Sequence, residues 1–461
     1  MNTAIDMTAG EQQDERRALV AGFGLTGCSV VRYLRTRGFA VEAADSRDLP
    51  PGLKETRGEF PGVALHTGGF DEQLFAGYDL IVVSPGVPLS EPVLVEAAAR
   101  DAEIIGDIEL FAREARAPVI AITGSNGKST VTTLVGLMLE AAGQIAAVGG
   151  NIGRPALDLL PAPGSDELTP DYYVLELSSF QLETTRNLQA EAAAVLNISA
   201  DHMDRYPDLG AYIAAKARIL RGAKTAVLNR QDAAVMKLAE SVPNCITFGL
   251  DTPPGAGDFG LREIQDERWL CRGETRLCRV RDLALAGQQN VANVLAAMAL
   301  ATQAGVALTP ETVAAACCFP GLPHRCETVG EWLGVRWIND SKGTNVGATV
   351  AAIEGFEAPL VLIAGGQGKG ADFGPLRQAL EGSARAAVLF GQDAGQIASV
   401  LEGAVETHRV ESLETALETA AELAKPGDVV LFSPACASFD MFESYARRGD
   451  LFRRLVRERA L

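Results

Sequence analysis

The residues that could do chemistry most directly are Thr123-Gly124-Ser125-Asn126-Gly127-Lys128-Ser129-Thr130, set between a buried apolar stretch and an amphipathic one. A strand–loop–helix of this composition turns backbone N–H groups and the positive end of a helix onto phosphate oxygens; Lys128 adds a point charge and the Ser129 hydroxyl can reach a metal ion. Ile122 stands where the longer form of such a loop has its first glycine, so this is a short variant. A glycine-rich turn carrying an exposed lysine is the bland alternative. Gly124, Asn126, Gly127, Lys128, Ser129 and Thr130 are therefore the candidate phosphate contacts. Glu176 closes the apolar run 173–175, and a carboxylate at a strand tip beside a phosphate loop is what Mg²⁺ requires. His202, one of only four histidines, follows another strand end within 197–205 and suits a metal ligand or an acid–base group. Lys216, by its own pattern, is a solvated helix lysine.

A second glycine motif, Gly22-Phe23-Gly24-Leu25-Thr26-Gly27, is followed by Asp45 at the end of the next expected strand. Read alone it admits a nicotinamide dinucleotide, a nucleotide or nucleotide-sugar diphosphate, or a tight turn with no ligand. Asn290 and Asn293 share a helix face, either as an N-cap and a surface amide or as contacts to a base or sugar. His324-Arg325, the run 339–345 around Asp340 and Lys342, the loop 365–370 and the loop 433–440 all fall at expected strand tips, the edge at which open α/β sheets bind ligands.

The elements that must position these residues follow from the alternation of short apolar runs with helical periods. Strands are expected at 17–22, 40–44, 79–83, 118–123, 172–175 and 193–198, then at 335–338, 359–363, 387–390 and 429–432. Helices are expected after Gly24 to 37, over 130–142, 212–220 and 290–304, and in a basic segment 451–459. Between 245 and 280 the helical period fades and a small antiparallel insert is expected. The class is α/β with parallel sheets. At 461 residues and about 150 per domain, three domains are expected: 1–106 with a loose tail over 1–17, 107–321, and 322–461, with a hinge at 319–323. Hydrophobic residues at 47% and charged residues at 22% leave disorder and fibrous repeats without support. A net charge of -18 disfavours nucleic acid as a partner, so small anions must bind where positive groups gather locally. The eight cysteines (Cys28, Cys245, Cys271, Cys278, Cys317, Cys318, Cys326, Cys436) form no Cys-x-x-Cys pair and read as reduced, mostly core thiols. With an acidic N-terminal segment and no apolar run long enough to span a bilayer, the expectation is a cytoplasmic protein with no membrane insertion.

Taken in order, Gly24-Leu25-Thr26-Gly27, the phosphate loop, 201–206, Gly321-Leu322-Pro323-His324-Arg325, 340–345 and 433–442 resemble the Mur ligases of peptidoglycan synthesis, over nearly the whole chain. The likeness is to the D-glutamate-adding branch. It implies a Rossmann-like first domain, a central ATPase domain and a Rossmann-like last domain. It also implies ATP-driven ligation of D-glutamate to UDP-N-acetylmuramoyl-L-alanine by a monomeric chain. A substrate carboxylate would take the γ-phosphate, and the amine would then attack the acyl phosphate through a tetrahedral intermediate. By the same resemblance Ser129 and Glu176 serve one Mg²⁺, and His202 with a carbamylated Lys216 serves a second. Leu25, Thr26, Asp45, Ser46, Arg47, Ser84, Gly86 and Asn151 hold the UDP-sugar. Asn290, Asn293, Arg325 and Asp340 meet the adenine nucleotide. His202, Lys342, Thr344, Lys369, Ser438, Phe439 and Tyr445 bind D-glutamate, with Lys128, Glu176, His202, Lys216 and Lys342 as the catalytic set. Sister Mur ligases or a folylpolyglutamate synthetase share the phosphate loop and hinge. A nicotinamide-dependent oxidoreductase would leave 123–130 unexplained, and a non-catalytic nucleotide module would leave Lys342 idle.

Overall fold

The computed structural model describes residues 16–53, 58–165, 167–285, 287–356 and 358–459; the expected tail, apart from Arg16 and Arg17, lies outside them. The chain divides into two compact units. The first comprises Met1–Arg116, to which Arg154–Thr169 and Glu183–Asn187 return. Its sheet is parallel throughout, in the order Ala64–Thr67, Ala40–Asp45, Arg17–Ala21, Leu80–Val83, Glu103–Ile105. Chain direction across the sheet reverses at the central strand Arg17–Ala21, so the loops after Ala21 and Val83 flank a switch point. The helix Leu25–Thr36 starts tightly against the first strand because Gly27 has no side chain: a Cβ there would lie 2.2 Å from the Gly22 carbonyl oxygen. The returning segments are anchored by charge. Asp158 accepts from Ser29 Oγ at 2.9 Å and Arg32 Nη1 at 2.6 Å. The fully buried Glu109 accepts from the backbone of Arg186 and Asn187 and from Asn187 Nδ2 at 2.6 Å.

The second unit holds two sheets. The nine-stranded one runs Thr275–Arg279, Glu267–Arg272, Phe259–Ile264, Cys245–Phe248, Thr225–Asn229, Ala192–Val195, Val119–Thr123, Tyr172–Glu176, Ala146–Gly150. Its middle strands are solid apolar runs because both faces are covered; Ile120, Ile122 and Val174 share one core with the helices Lys128–Ala141 and Gln288–Gln303. The region expected as a small antiparallel insert does hold three antiparallel strands, and they extend this sheet. Cys245–Phe248 pairs in parallel with Thr225–Asn229, and only the last three strands run antiparallel. Hydrogen bonding to an existing strand edge satisfies a backbone that a free three-stranded piece would leave open.

The six-stranded sheet runs Glu327–Trp332, Val335–Asn339, Val429–Phe432, Leu360–Gly365, Ala384–Phe390, Glu406–Arg409. Its alternation is visible residue by residue. Leu360, Leu362 and Ala364 pack into one core, while Val361 and Ile363 pack into another on the opposite face with Trp337, Phe432 and Phe452. The basic C-terminal helix starts earlier than its charge pattern indicates, spanning Tyr445–Arg459. No helix among the described residues is long and apolar enough to cross a membrane.

Candidate active site

The phosphate loop follows the strand Val119–Thr123, which lies between Tyr172–Glu176 and Ala192–Val195, so three strand tips meet at one place. Gly127 caps the helix Lys128–Ala141 in the left-handed region (φ 81°), and a Cβ there would sit 2.3 Å from Asn293 Oδ1. Only glycine fits both demands. Lys128 Nζ donates to the carbonyls of Gly124 and Ser125, each at 2.9 Å. The neighbouring tip is tied in by Asn197, whose amide bonds the Asn126 backbone in both directions, and by Ser199, which exchanges hydrogen bonds with Ser125.

Ser129 is the centre of the arrangement. Its hydroxyl donates to Glu176 Oε2 and accepts from Arg325 Nη2 at 2.7 Å, and Asn151 Nδ2 holds the other Glu176 oxygen at 2.8 Å. Arg325 precedes the first strand of the six-stranded sheet, so that sheet reaches the phosphate loop directly. Asn345 makes a second reach: its Nδ2 donates to Asp201 Oδ2 at 3.0 Å and to Asn126 Oδ1 at 3.4 Å, while its Oδ1 caps the helix Val346–Glu354.

Lys216 is not a solvated helix lysine. On the helix Leu209–Ala217 it is 1% exposed, its Nζ donates to Gly124 O at 2.8 Å, and it lies 4.6 Å from the Tyr212 ring. Burial, reinforced by Lys128, drives its amine well below the ordinary lysine range, against the pull of Asp201 and Glu176. Lys128 is lowered by burial too. His202 has φ 58° and packs edge-on against Phe180, with ring centroids 4.7 Å apart. Burial lowers it, opposed by Asp201 and Asp204 and assisted by Lys369 and Lys128. Asn290 and Asn293 are buried rather than capping or surface amides: Gly287 takes the cap, and Asn293 Nδ2 donates to Asn290 Oδ1 at 3.2 Å. Thr130 is buried in the first turn of the loop's helix.

On the six-stranded sheet, the tips of Val335–Asn339, Val429–Phe432 and Leu360–Gly365 are adjacent. Asp340 accepts from Ser433 Oγ at 2.7 Å and Cys326 N at 3.1 Å; burial nevertheless pushes it up to about 6. Lys342 lies 4.2 Å over the Tyr445 ring, and burial beside Arg325 and Lys128 brings it down to about 8. Thr344 N donates to Lys342 O at 2.7 Å. Backbone bonds between Gln367 and Ala437 lay the loop 365–370 beside 433–440. Lys369 Nζ is 5.8 Å from the exposed Phe439 ring, and Ser438 is buried next to it.

Family comparison matches residues 16–106 to a Mur ligase MurD-like N-terminal domain, 122–301 to a Mur ligase middle domain and 324–436 to a Mur ligase glutamate ligase domain. The chain belongs to the Mur ligase family. This ligase is 53% identical over 443 residues to the UDP-N-acetylmuramoylalanine--D-glutamate ligase of Nitrosococcus oceani, covering 96% of each chain. It is 52% identical to the enzyme of that name from Marinobacter nauticus, over 96% of this chain and 98% of the other. In fold it is similar to a MurF ligase from Thermotoga maritima solved with ADP, at TM-score 0.61 and 16% identity over 97% of both chains.

Within the ligase's first unit, the expected UDP-sugar residues gather at the switch point. Ser84 Oγ donates to Gly22 O at 2.7 Å. Asp45, 2% exposed, accepts from Phe23 N, Arg47 N and the Arg47 guanidinium. Burial alone would raise its carboxyl, but the Arg47 pair and these N–H groups hold it below the ordinary range. Leu25, Ser46, Arg47 and Gly86 are exposed around it and Thr26 is half-buried. Asn151 belongs to the second unit.

One residue that motif reading passes over ties the loops 339–345 and 433–440 of the ligase together. Arg448, 1% exposed, donates to Ser341 Oγ (3.1 Å), Ser341 O (2.9 Å), Cys436 O (3.1 Å) and Ala437 O (3.3 Å). Its neighbours in sequence, Arg447 and Arg454, are exposed, so charge pattern alone does not single it out.

Proposed function

We propose that this Mur ligase, as a cytoplasmic monomer, joins D-glutamate to UDP-N-acetylmuramoyl-L-alanine at the expense of ATP. The three sheets divide the work: the first takes the uridine diphosphate, the nine-stranded one ATP, and the six-stranded one D-glutamate with a share of the nucleotide. The observation carrying the reading is the Ser129 hydroxyl held by Glu176 on one side and Arg325 from the next sheet on the other. A phosphoryl group delivered there meets a loop, a carboxylate and a guanidinium already in register. A carboxylate is a poor acyl donor until phosphorylation gives it a leaving group, and the Lys128 ammonium stabilises charge as the γ-phosphate moves. Asn290, Asn293, Arg325 and Asp340 hold the adenine nucleotide; Lys342, Thr344, Lys369, Ser438, Phe439 and Tyr445 hold the two carboxylates of D-glutamate, with His202 nearby.

Ser129 and Glu176 are hard oxygen donors and fit Mg²⁺, which supplies charge neutralisation on phosphate when bound. Among the described residues no cluster of three His, Cys, Asp or Glu is placed to hold a metal, so a second ion would depend on His202 and a carbamylated Lys216. A neutral buried amine is the form that adds CO₂, and the lowered Lys216 meets that need. Carbamylation turns a cation into an anionic oxygen donor.

ADP release should require both UDP-N-acetylmuramoyl-L-alanine and D-glutamate. Release at equal rate without D-glutamate, or with L-glutamate in its place, overturns the reading. Lys216→Ala should be nearly inactive and partly rescued by a small carboxylate; inactivity that resists rescue removes the carbamate.

A further inference from the structure

Outside the nucleotide and acceptor loops, the closest approach of two nucleophiles is between cysteines far apart in sequence. Cys278 lies on the edge strand Thr275–Arg279 of the nine-stranded sheet and Cys317 is the last residue of the helix Pro310–Cys317. The Cys317 thiol donates to Cys278 Sγ at 2.8 Å, although both are free thiols. Two sulfurs at that distance stand less than about 1 Å beyond a disulfide bond length. Cys278 is half-buried at a sheet edge, which gives small reagents a route to the pair, and the buried Cys317 is reached beside it; Cys271 on the adjacent strand is fully buried and bonded to Trp269 O.

We propose that Cys278 and Cys317 form a reversible dithiol–disulfide modification site for hydroperoxides. The Cys317 thiolate attacks the terminal oxygen of the peroxide O–O bond, giving a sulfenic acid and releasing hydroxide from hydrogen peroxide or alkoxide from an organic hydroperoxide; the Cys278 thiol then displaces the sulfenic hydroxyl as water and forms the S–S bond. Overall two thiols and one hydroperoxide give one disulfide, one alcohol or water, and one water. Each sulfur is oxidised by one electron and the peroxide oxygens are reduced. The neighbour favours the first step: once Cys317 loses its proton, the Cys278 S–H stabilises it, which pulls Cys317 below the ordinary thiol range and pushes Cys278 up.

Position gives the bond a consequence. Cys317 is followed by Cys318-Phe319-Pro320-Gly321, the chain leading to the six-stranded sheet, and its carbonyl already accepts from Ala284 N at 2.8 Å. Oxidation fixes the start of that connection covalently to the sheet edge. Neither sulfur touches the phosphate loop, so the ATPase apparatus is left in place.

The test treats the whole purified chain with stoichiometric hydrogen peroxide, quenches by alkylation and maps peptides without reduction. The expected result is a Cys278–Cys317 cross-linked peptide, a mass about 2 Da lower, reversal by dithiothreitol, and a melting transition raised by about 5 °C for a loop of this length. Cys278→Ser should abolish the cross-link while keeping the reduced melting temperature within about 2 °C, and Cys318→Ala should leave the cross-link intact. Peroxide treatment that leaves Cys278 and Cys317 as alkylatable as before, or cross-links other cysteines first, overturns the proposal.

Discussion

Replacing Arg448 by methionine separates what this side chain does for stability from what it does for the acceptor loops. The substitution keeps length and volume but removes four hydrogen bonds: the carbonyls of Ser341 and Cys436 lose their donor, while Ser341 Oγ keeps its bond to Tyr445 O and Ala437 O keeps the one from Gln367 N. At about 1.5–2 kcal/mol for each carbonyl left without a partner and about 0.5–1 kcal/mol for each of the two acceptors that keep one, the loss is about 4–6 kcal/mol. Against it stands the cost of burying the cation. Burial brings the guanidinium from its ordinary value down to about 10, and that shift corresponds to about 3 kcal/mol recovered when the charge is removed. The net destabilisation is then about 1–3 kcal/mol, a fall of a few degrees in melting temperature. The catalytic effect is larger and selective, because the released segments carry Lys342 and Ser438. Losing their fixed placement costs about 10- to 100-fold in kcat/KM for D-glutamate. ADP release is to be measured with D-glutamate varied and then with the UDP-sugar varied. The UDP-sugar KM should change less than about threefold. A variant that melts lower but keeps the D-glutamate KM, or loses both substrates equally, refutes the positioning argument. Arg448→Lys should recover part of the D-glutamate KM.

Three further outcomes follow from the geometry. With ATP varied, kcat/KM should rise as pH passes about 6, where Asp340 ionises, and with D-glutamate varied it should fall past about 8, where Lys342 loses its charge; Asp340→Asn removes the acid limb and Lys342→Arg moves the alkaline limb upward. The stability linkage of Asp340 has the opposite sense: its folded value lies above 3.8, so it stabilises the folded chain at low pH and that contribution is lost as pH rises through about 6. Gly127→Ala combines a left-handed backbone with an overlap onto Asn293 Oδ1 and should lower stability by about 2 kcal/mol or more in urea titrations; a loss under about 0.5 kcal/mol contradicts it. Asn345→Ala forfeits its helix cap, at about 1 kcal/mol. Asn345→Asp keeps the cap but sets a carboxylate against Asp201, so it should be the more stable and less active of the two; the reverse order rejects the bridging role.

The strand tips were legible because glycine, proline and functional residues interrupt apolar runs there: Thr123, Glu176, Asn339 and Phe432 all end strands near where the pattern ends them. Edge strands such as Ala64–Thr67 and Glu406–Arg409 were not, since their exposed faces carry polar residues and their only signal is pairing with a neighbour. The phosphate loop announced itself through local spacing. Burial of Lys216 and Asn293, the reach of Asn345 to Asp201 and the role of Arg448 depend on partners about 90 to 145 residues away or in other loops, and local periodicity carries no trace of them. The same limit hid the 245–280 segment's place in the sheet, where strand-like pieces looked independent until their edge partner Thr225–Asn229 was visible.

The returning segments of the first unit set an order on synthesis. Glu109 is fully buried, yet the N–H groups that satisfy its carboxylate come from Arg186 and Asn187, roughly seventy residues beyond the end of the unit's main body. At ribosomal rates of about 5–20 residues per second, that carboxylate waits about 4–14 s for its partners. A fragment ending at Arg116 keeps all five strands but leaves this buried acid only the 3.4 Å contact from Arg113 Nε, so excising the first unit at its apparent boundary costs stability. The nascent ligase must begin its nine-stranded sheet before its first unit is complete.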